Sequence, residues 1–366
     1  MSNNEELKKD LEQYRKEIDE IDDKIVDLLN KRGNLAIKLG EVKKKLKLEL
    51  IQLHREKEVI ERIKNKSSVF KKSNMELIWN EIIGASKAVQ GKIVKVGYLG
   101  PMGTFTHQAA LESFPKSGTK FIPYNSSLDI FNDIEKDAIV FGVIPIENSL
   151  QGTVLETIDI LIEKELLIYS EIELRIIQNL IGLKESKVSD IKHIFSHPQA
   201  FAQTRLWIKE NLPNVNLINV SSTAEAVRRV RKLYDRSYGA IGTVFASKVY
   251  DLEILKSKIE DEPINYTRFL ILSKKEYPLK TEKMKTSLVF ATKHVPGALY
   301  NVLKIFSDAK INLSKIESRP SRKIRWEYIF FMDFEGDKDE PYVNEAVQLM
   351  KTNVIWYKIL GSYPMK

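Results

Sequence analysis

The stretch LKKDLEQYRKEIDEIDDKIVDLLNKRGNLAIKLGEV, from Leu7 to Val42, is one long helix with a single fault in its apolar seam. Leu7, Leu11, Tyr14, Ile18, Ile21, Ile25 and Leu28, then Leu35, Leu39, Val42 and Leu46, follow at alternating steps of four and three, the spacing of a helix–helix stripe. The slot between Leu28 and Leu35 holds Arg32. A guanidinium does not shed its proton, so on a seam it needs an anionic partner or a water-filled pocket. Lys43 follows 11 residues later, about three turns on and roughly 20° round the cylinder, so both cations point the same way. Their Cα atoms are roughly 16 Å apart, a gap that two long side chains narrow to the width of a small dianion. The same pattern also fits a coiled coil with one polar residue setting its register.

Outward from that seam, the first helix runs from about Glu5 to Leu48, too long for a lone globular helix. A second covers about Leu50 to Asn65, and Lys66-Ser67-Ser68 is a turn. A third covers about Asn74 to Gln90. Three helices cannot bury so long a seam alone, so a homodimer with a shared core is expected, and pairing of dimers into tetramers stays open. Arg15 lies 17 residues before Arg32, roughly 100° away round the helix, where a paired helix brings it to the partner's site. Ser86 and Gln90 are i,i+4 neighbours on one face of the third helix. With Arg55 and Glu56 these make four cations, one carboxylate and an amide, and no nucleophile. Such a set suits binding a dianion and stabilising its charge during a rearrangement. Taken alone, Arg55 and Glu56 read equally as solvated helix charges.

Composition bounds the rest. At 366 residues the chain is too long for one core, so two or three domains are expected. Charged residues at 30% and hydrophobic ones at 43% are those of a soluble globular protein. No stretch approaches the roughly 18 apolar residues of a membrane span, and Met1 to Glu6 is polar and acidic, unlike a targeting peptide. No cysteine is present, which excludes disulfides and thiolate chemistry and suits the cytoplasm. The five histidines are scattered without metal-ligand spacing, so neither a metal nor another cofactor is expected. The net charge of +8 is interleaved with acids and clusters only at Lys43-Lys44-Lys45 and Lys47, where cations complement a helix dipole. Small anionic substrates explain it better than nucleic acid.

At Gly91 the texture changes. Ile93 to Gly100 is a strand running into a glycine-rich turn, and strands and helices alternate from there to about Ser273, an α/β region of two lobes around a cleft. Lys274 to Lys285 reads as a linker. The last eighty or so residues have a βαββαβ rhythm, the α+β ferredoxin-like arrangement. The domains are thus read as 1–91, 93–273 and 286–366, with the linker at 274–285.

In the middle region, Gly103-Thr104 belongs to a turn at a helix N-terminus, a place for a carboxylate or phosphate, without the lysine of a nucleotide-binding P-loop. Glu147-Asn148-Ser149 ends a strand with hydrogen-bonding groups. Ser222-Thr223 opens a helix, and Ser222 with Glu225 spells a capping box. Thr267-Arg268-Phe269 stands just before a strand. In the last domain Gly297-Ala298-Leu299-Tyr300 sits at a strand–helix turn and Glu317-Ser318-Arg319-Pro320 follows a strand.

These residues carry three resemblances in order. Tyr14 to Asp19, Leu28 to Arg32, Gly40 to Lys43 and His54-Arg55-Glu56 resemble the all-α chorismate mutase family. That resemblance implies that Arg32 and Lys43, with Arg15 of a second copy, hold the carboxylates and ether oxygen of chorismate. Lys43 and Gln90 would sit at that oxygen, Glu56 at the ring hydroxyl, and Ser86 and Arg55 around them. The family often has an aspartate where this chain has Gln52, and an amide still hydrogen-bonds a hydroxyl but brings no charge. The middle region resembles prephenate dehydratase, with the bilobal fold of periplasmic-type binding proteins. By that resemblance Thr267 would donate to the departing hydroxyl, Arg268 pair with a carboxylate and Phe269 pack beside the ring. Glu147, Asn148, Ser149, Ser222, Thr223, Gly103 and Thr104 would line the cleft. The two last motifs resemble the phenylalanine-sensing motifs of ACT domains, the first of which usually ends in valine rather than the bulkier Tyr300.

The expectation is therefore a mutase, a dehydratase and an L-phenylalanine sensor in one chain. A dehydratase acting on arogenate uses the same cleft. A ligand-responsive regulator with a helical dimerisation arm is the non-enzymatic reading, and no helix-turn-helix supports it.

Overall fold

The computed structural model describes residues 2–46, 53–91, 93–278, 280–320 and 328–365. They fall into two compact units, one of residues up to Val94 with Pro115–Lys120, the other of Lys95–Phe114 with Phe121–Lys366.

The first unit is built on α1 (Ser2–Lys45), α2 (Leu53–Lys66) and α3 (Lys72–Val89). Its core is small: Ile60 of α2 and Ile83 of α3 are the buried apolar side chains. Gly40 lets α1 approach α3, because a Cβ there would meet Gln90 at 3.1 Å. The seam of α1 is left open, with Leu7, Ile18, Leu28 and Leu35 all more than half exposed. An uncovered apolar stripe of this length is an exposed apolar surface.

In the second unit, β1 (Val94–Leu99), β2 (Thr119–Tyr124), β3 (Phe141–Asn148), β5 (Leu167–Arg175) and β11 (Tyr266–Ser273) form a sheet in the order β2-β1-β3-β11-β5, with β4 (Gly152–Thr153) paired to β3. Helices α4 (Phe105–Ser113), α5 (Ser127–Glu135) and α6 (Leu155–Glu163) accompany it. The chain leaves through β5 and builds a second lobe on β6 (Asn179–Gly182), β7 (His193–Ser196), β8 (Asn216–Asn219), β9 (Tyr238–Gly242) and β10 (Glu253–Lys256), ordered β10-β6-β9-β7-β8. It then returns as β11, between β3 and β5. Two neighbouring strands thus carry both crossings between the lobes, which leaves a cleft. Helices α7 (Pro198–Gln203), α8 (Arg205–Asn211), α9 (Thr223–Leu233) and α10 (Val244–Val249) complete the second lobe. Of these α9 shows its sequence logic plainly: Ala224, Val227 and Val230 are buried while Arg228, Arg229 and Arg231 face solvent.

The third sheet is β13 (Leu313–Pro320), β14 (Tyr328–Glu335), β12 (Met284–Thr292) and β15 (Trp356–Pro364), in that order and antiparallel throughout. With α11 (Ala298–Asp308) and α12 (Pro341–Lys351) it gives βαββαβ. One face packs on Val302, Phe306, Val343 and Met350 of the two helices. The other face, through Val289, Phe331 and Tyr363, joins the core of the first lobe around Ile158 and Ile168. β12, central in the sheet, is buried along its whole length; Leu288 to Ala291 are apolar, while Lys285, Thr286 and Ser287 are buried polar residues. Gly361 allows the closest approach, since a Cβ there would strike the Ile168 carbonyl oxygen at 2.4 Å. Met284 and Lys285, at the end of the expected linker, are already buried in β12.

Candidate functional sites

In the helical unit α1, α2 and α3 enclose a cavity of about 290 Å³ lined by Arg32, Lys43, Arg55, Glu56, Ser86, Lys87 and Gln90, with Leu35, Leu39 and Val59 as apolar walls. Arg32 donates to the Ser86 hydroxyl and, at 3.3 Å, to the Ile82 carbonyl. Ser86 in turn donates to Ile82 at 2.7 Å. No carboxylate is among these partners, and burial lowers the Arg32 pKa from its ordinary value. Glu56 accepts from Lys87 Nζ at 2.7 Å, and both side chains are largely buried. Arg55 is exposed and pairs with Glu58 at 2.9 Å. Six of the residues anticipated for this site therefore share one cavity. Arg15 does not line it and sits exposed on α1. Gln52 lies outside the described residues. Lys87 was not anticipated; its position between Ser86 and Gln90 was the available signal.

In the second unit the centre of the cleft-side arrangement is Asn148, at the end of β3 and buried. Its amide nitrogen donates to the Thr267 hydroxyl at 2.9 Å, to Asn265 Oδ1 at 2.8 Å and to the Tyr266 carbonyl at 3.1 Å. Its oxygen accepts from Leu150 N and Gln151 N, each at 3.1 Å, which shapes the loop after the strand. Because Thr267 Oγ1 accepts from the amide, its hydrogen is left to be donated. Ser149 Oγ accepts from Tyr266 N at 3.0 Å, stapling the two strand ends. Phe269 is fully buried beneath them.

The glycine turn is tied to both lobes. Thr104 caps α4 by accepting from His107 N at 3.2 Å. Gly103, at φ +94°, donates to His107 Nδ1 at 3.2 Å, so the ring proton sits on Nε2. The ring stacks on Tyr98 at 4.3 Å, and burial lowers its pKa to about 4, leaving it neutral. From the second lobe Thr243 Oγ1 donates to the Gly103 carbonyl at 3.4 Å, and Tyr250 Oη to that of Met102 at 2.8 Å. Ser222 does cap α9, accepting from Glu225 N at 3.0 Å. The Glu225 carboxylate instead pairs with Arg228 and Arg229, and the Arg228 hydrogen bond leads the causes that lower its pKa. Thr223 is half-buried at the first turn of that helix.

Glu147 and Arg268 are placed otherwise. Thr267 pairs in register with Asn148, and Arg268 with Glu147 on one side and Glu173 on the other. Successive strand residues face opposite sides, so the threonine and the arginine point apart. The Arg268 guanidinium lies 2.6 Å from Asp333, 3.5 Å from Glu171 and 3.7 Å from Glu147. Burial alone would lower its pKa; Asp333, Tyr363 and Glu171 outweigh that and raise it. Glu147 pairs with Lys315 at 2.7 Å. This side holds a cavity of about 240 Å³ that Glu147, Ser149, Glu171, Tyr266, Arg268 and Lys285 line and Thr267 does not, so Ser149 too stands apart from the threonine.

In the third domain Gly297, at φ +82°, starts α11. Ala298 and Leu299 are half-buried, and Tyr300 is 63% exposed. On β13 the alternate residues Glu317 and Arg319 turn to the first lobe: Glu317 accepts from Thr153 at 3.0 Å, and Arg319 donates to the Leu155 carbonyl at 3.2 Å and pairs with Asp159. Ser318 and Pro320 are exposed on the alternate positions.

Three family descriptions match the chain in order: chorismate mutase type II over residues 14–91, prephenate dehydratase over 96–277 and ACT domain over 286–348. The bifunctional chorismate mutase/prephenate dehydratase of Aquifex aeolicus (strain VF5) is 41% identical over 360 residues, covering 97% of this chain and 98% of that protein. The prephenate dehydratase of Methanocaldococcus jannaschii is 39% identical over 273 residues, covering 73% of this chain and 97% of its own length. The structure of prephenate dehydratase from Arthrobacter aurescens, in complex with L-Phe, matches at a TM-score of 0.68 with 33% identity, over 74% of this chain and 90% of that one. A cationic cavity in the helical unit, a hydroxyl held at the cleft strand of the second and relatives aligned from end to end place the chain in the family of bifunctional chorismate mutase/prephenate dehydratases, with both activities.

Proposed function

We propose how the two reactions are divided among these residues. Chorismate, a dianion, enters the helical cavity, where Arg32, Lys43, Arg55 and Lys87 face one carboxylate, Glu56. The observation that carries this reading is Arg32, half-buried on hydroxyl and carbonyl oxygens with no acid among its partners in the described residues. Arg32 and Lys43 hold the carboxylates, and Arg15 of a second copy completes the site, the open seam of α1 being the homodimer contact. As the C–O bond breaks and the new C–C bond forms, charge grows on the ether oxygen. Lys43 and Gln90 stabilise it there. Glu56 takes the ring hydroxyl and no proton moves.

Prephenate then loses hydroxide and CO2 in the cleft between the lobes. The C–C bond to the ring carboxylate breaks, its electron pair enters the ring as a double bond, and the ring hydroxyl leaves. Asn148 fixes the Thr267 hydroxyl so that its hydrogen is directed at the leaving oxygen. A threonine is too weak an acid to give up its proton outright, so it polarises and positions. Gly103, Thr104, Ser222 and Thr223 complete the cleft, Ser149 anchors the start of β11 through Tyr266 N, and Phe269 supports the apolar floor. The domains divide at 1–91, 93–273 and 286–366. L-Phenylalanine binds the ACT domain at Gly297–Tyr300 and Glu317–Pro320 and inhibits dehydration. The chain works in the cytoplasm, since without cysteine it needs no oxidising compartment.

The test is to give purified protein chorismate and follow its loss and the appearance of phenylpyruvate, with and without phenylalanine. Phenylpyruvate formed and suppressed by phenylalanine supports the whole reading. Intact chorismate, with added prephenate still converted, would reduce the helical unit to a dimerisation arm.

A further inference from the structure

We infer that Glu147 and Arg268 are not substrate ligands but the handle by which the ACT sheet holds the Asn148–Thr267 pair in its working position. The inference rests on the reading of Thr267 as the hydrogen-bond donor to the departing hydroxyl. Its basis is a two-layer arrangement across one pair of strands. On the cleft side Asn148 of β3 is bonded to Thr267 of β11 at 2.9 Å. One residue along each strand, on the opposite side, Glu147 pairs in register with Arg268.

Each member of that second pair is gripped by the ACT sheet. Arg268 lies 2.6 Å from Asp333 of β14, and Glu147 lies 2.7 Å from Lys315 of β13. Asp333 is fully buried and is fixed to its own sheet by Ser287 Oγ, which donates to it at 2.5 Å. Lys315 shares a strand face with Glu317 and Arg319, in the stretch expected to sense the effector. Movement of β13 or β14 is therefore delivered to the residues next to Thr267 and Asn148.

The geometry also allows movement. The β3–β11 ladder shifts register between Arg268 and Phe269, opposite Pro145, which has no N–H to give. On the β3 side this separates the pairing of Tyr266 to Arg268 from that of the rest of β11, while β5 pairs with Tyr266 to Ile271 in unbroken register. Arg268 Nε and Glu171 Oε2 face each other at 3.5 Å without a hydrogen bond, beside the cavity of about 240 Å³. The guanidinium has room to slide. Lys285 lies 2.7 Å from Glu171 and Lys315 2.7 Å from Glu147, so with Arg268 on Asp333 each cation here already has its carboxylate and none is left over for a substrate's.

The experiment uses the full chain and four variants: Asp333→Asn, Arg268→Gln, Arg268→Lys and the double Arg268→Gln/Asp333→Asn. Mutase turnover in each sample reports folding of the helical unit, and phenylalanine binding by calorimetry reports that of the ACT domain. The expected result is a fall in dehydratase kcat on the order of tenfold for Asp333→Asn and Arg268→Gln, with KM changed less than about twofold. Phenylalanine should still bind Asp333→Asn but inhibit it several-fold less. Arg268→Lys should recover most of kcat, and the double variant should lose no more than either single one. A KM raised about a hundredfold in Arg268→Gln at unchanged kcat would make the arginine a substrate ligand and overturn the inference. So would an Asp333→Asn enzyme with normal kcat and normal inhibition. Thr267→Ala is assayed beside them. If it is inactive while Asp333→Asn behaves as wild type, only the handle falls; if it is active, the underlying reading falls with it.

Discussion

In the helical unit Arg32 looks into a cavity with three other cations and one carboxylate, and its own partners are a hydroxyl and a carbonyl. In the dehydratase–ACT unit Arg268 is enclosed by Asp333, Glu171 and Glu147 within 3.7 Å. Both arginines belong to motifs by which the chain is recognised, and from sequence both read as carboxylate binders. The difference between them is compensation. A half-buried cation with no acid among its described partners leaves a favourable interaction for an incoming anion, whereas a cluster in which Arg268, Lys285 and Lys315 already meet Asp333, Glu171 and Glu147 has none to offer. In the proposed reading the helical cavity is an electrostatic site, whereas the pair Asn148 and Thr267 is neutral and acts by direction.

The largest effect that would break or sharpen this contrast is on the neutral side. Thr267→Ala should lower dehydratase kcat on the order of 10³-fold and leave mutase turnover unchanged, in parallel assays on one preparation. Thr267→Ser, which keeps the hydroxyl, should stay within about tenfold. On the charged side, Arg32→Ala should lower mutase kcat/KM by about 10²–10³-fold with normal conversion of prephenate. High salt should raise KM for chorismate much more than KM for prephenate, which steady-state kinetics at two ionic strengths would show. Next comes Lys87→Met. It leaves Glu56 unpaired and removes one of four cavity cations, so KM for chorismate should rise about tenfold.

The smallest effect concerns stability. His107 is the buried titratable group beside the cleft turn, with a pKa lowered to about 4 from 6.5. Above pH 6.5 the folded and unfolded chains both hold a neutral ring, and the residue adds no pH dependence. Below it the unfolded chain takes up a proton that the folded one refuses. Stability is lost between about pH 6.5 and 4, by roughly 3 kcal/mol at the lower end. Urea melts of His107→Gln should show a shallower fall over that window than the parent chain.

How much of this the sequence discloses follows from the range of each interaction. The seam of α1 and the fault at Arg32 are local and periodic, and they predict both the helix and the cavity that Arg32 faces. Ser222 as a helix cap is local too, although Glu225 turns to Arg228 rather than closing the capping box. The return of β11 between β3 and β5 is not local: Asn148 and Thr267 meet across 119 residues. No periodicity encodes such a pairing. The orientation of Arg268 was half legible, because neighbours on a strand face apart, but Thr267-Arg268-Phe269 had been placed just ahead of the strand rather than inside it. Asp333 carries a signal of its own, a lone acid in the apolar run Tyr328 to Phe334. A buried charge in such a strand asks for a partner, and only the fold shows that the partner is Arg268.

The most direct test of two separate sites in one chain mixes two variants. Arg32→Ala alone should consume chorismate about 10²–10³-fold more slowly than the parent enzyme, and Thr267→Ala alone should turn it into prephenate and stop there. The account predicts that an equal mixture forms phenylpyruvate from chorismate at a rate near that of the parent enzyme. Phenylpyruvate from Thr267→Ala alone, or none from the mixture while Arg32→Ala still converts prephenate, would contradict it.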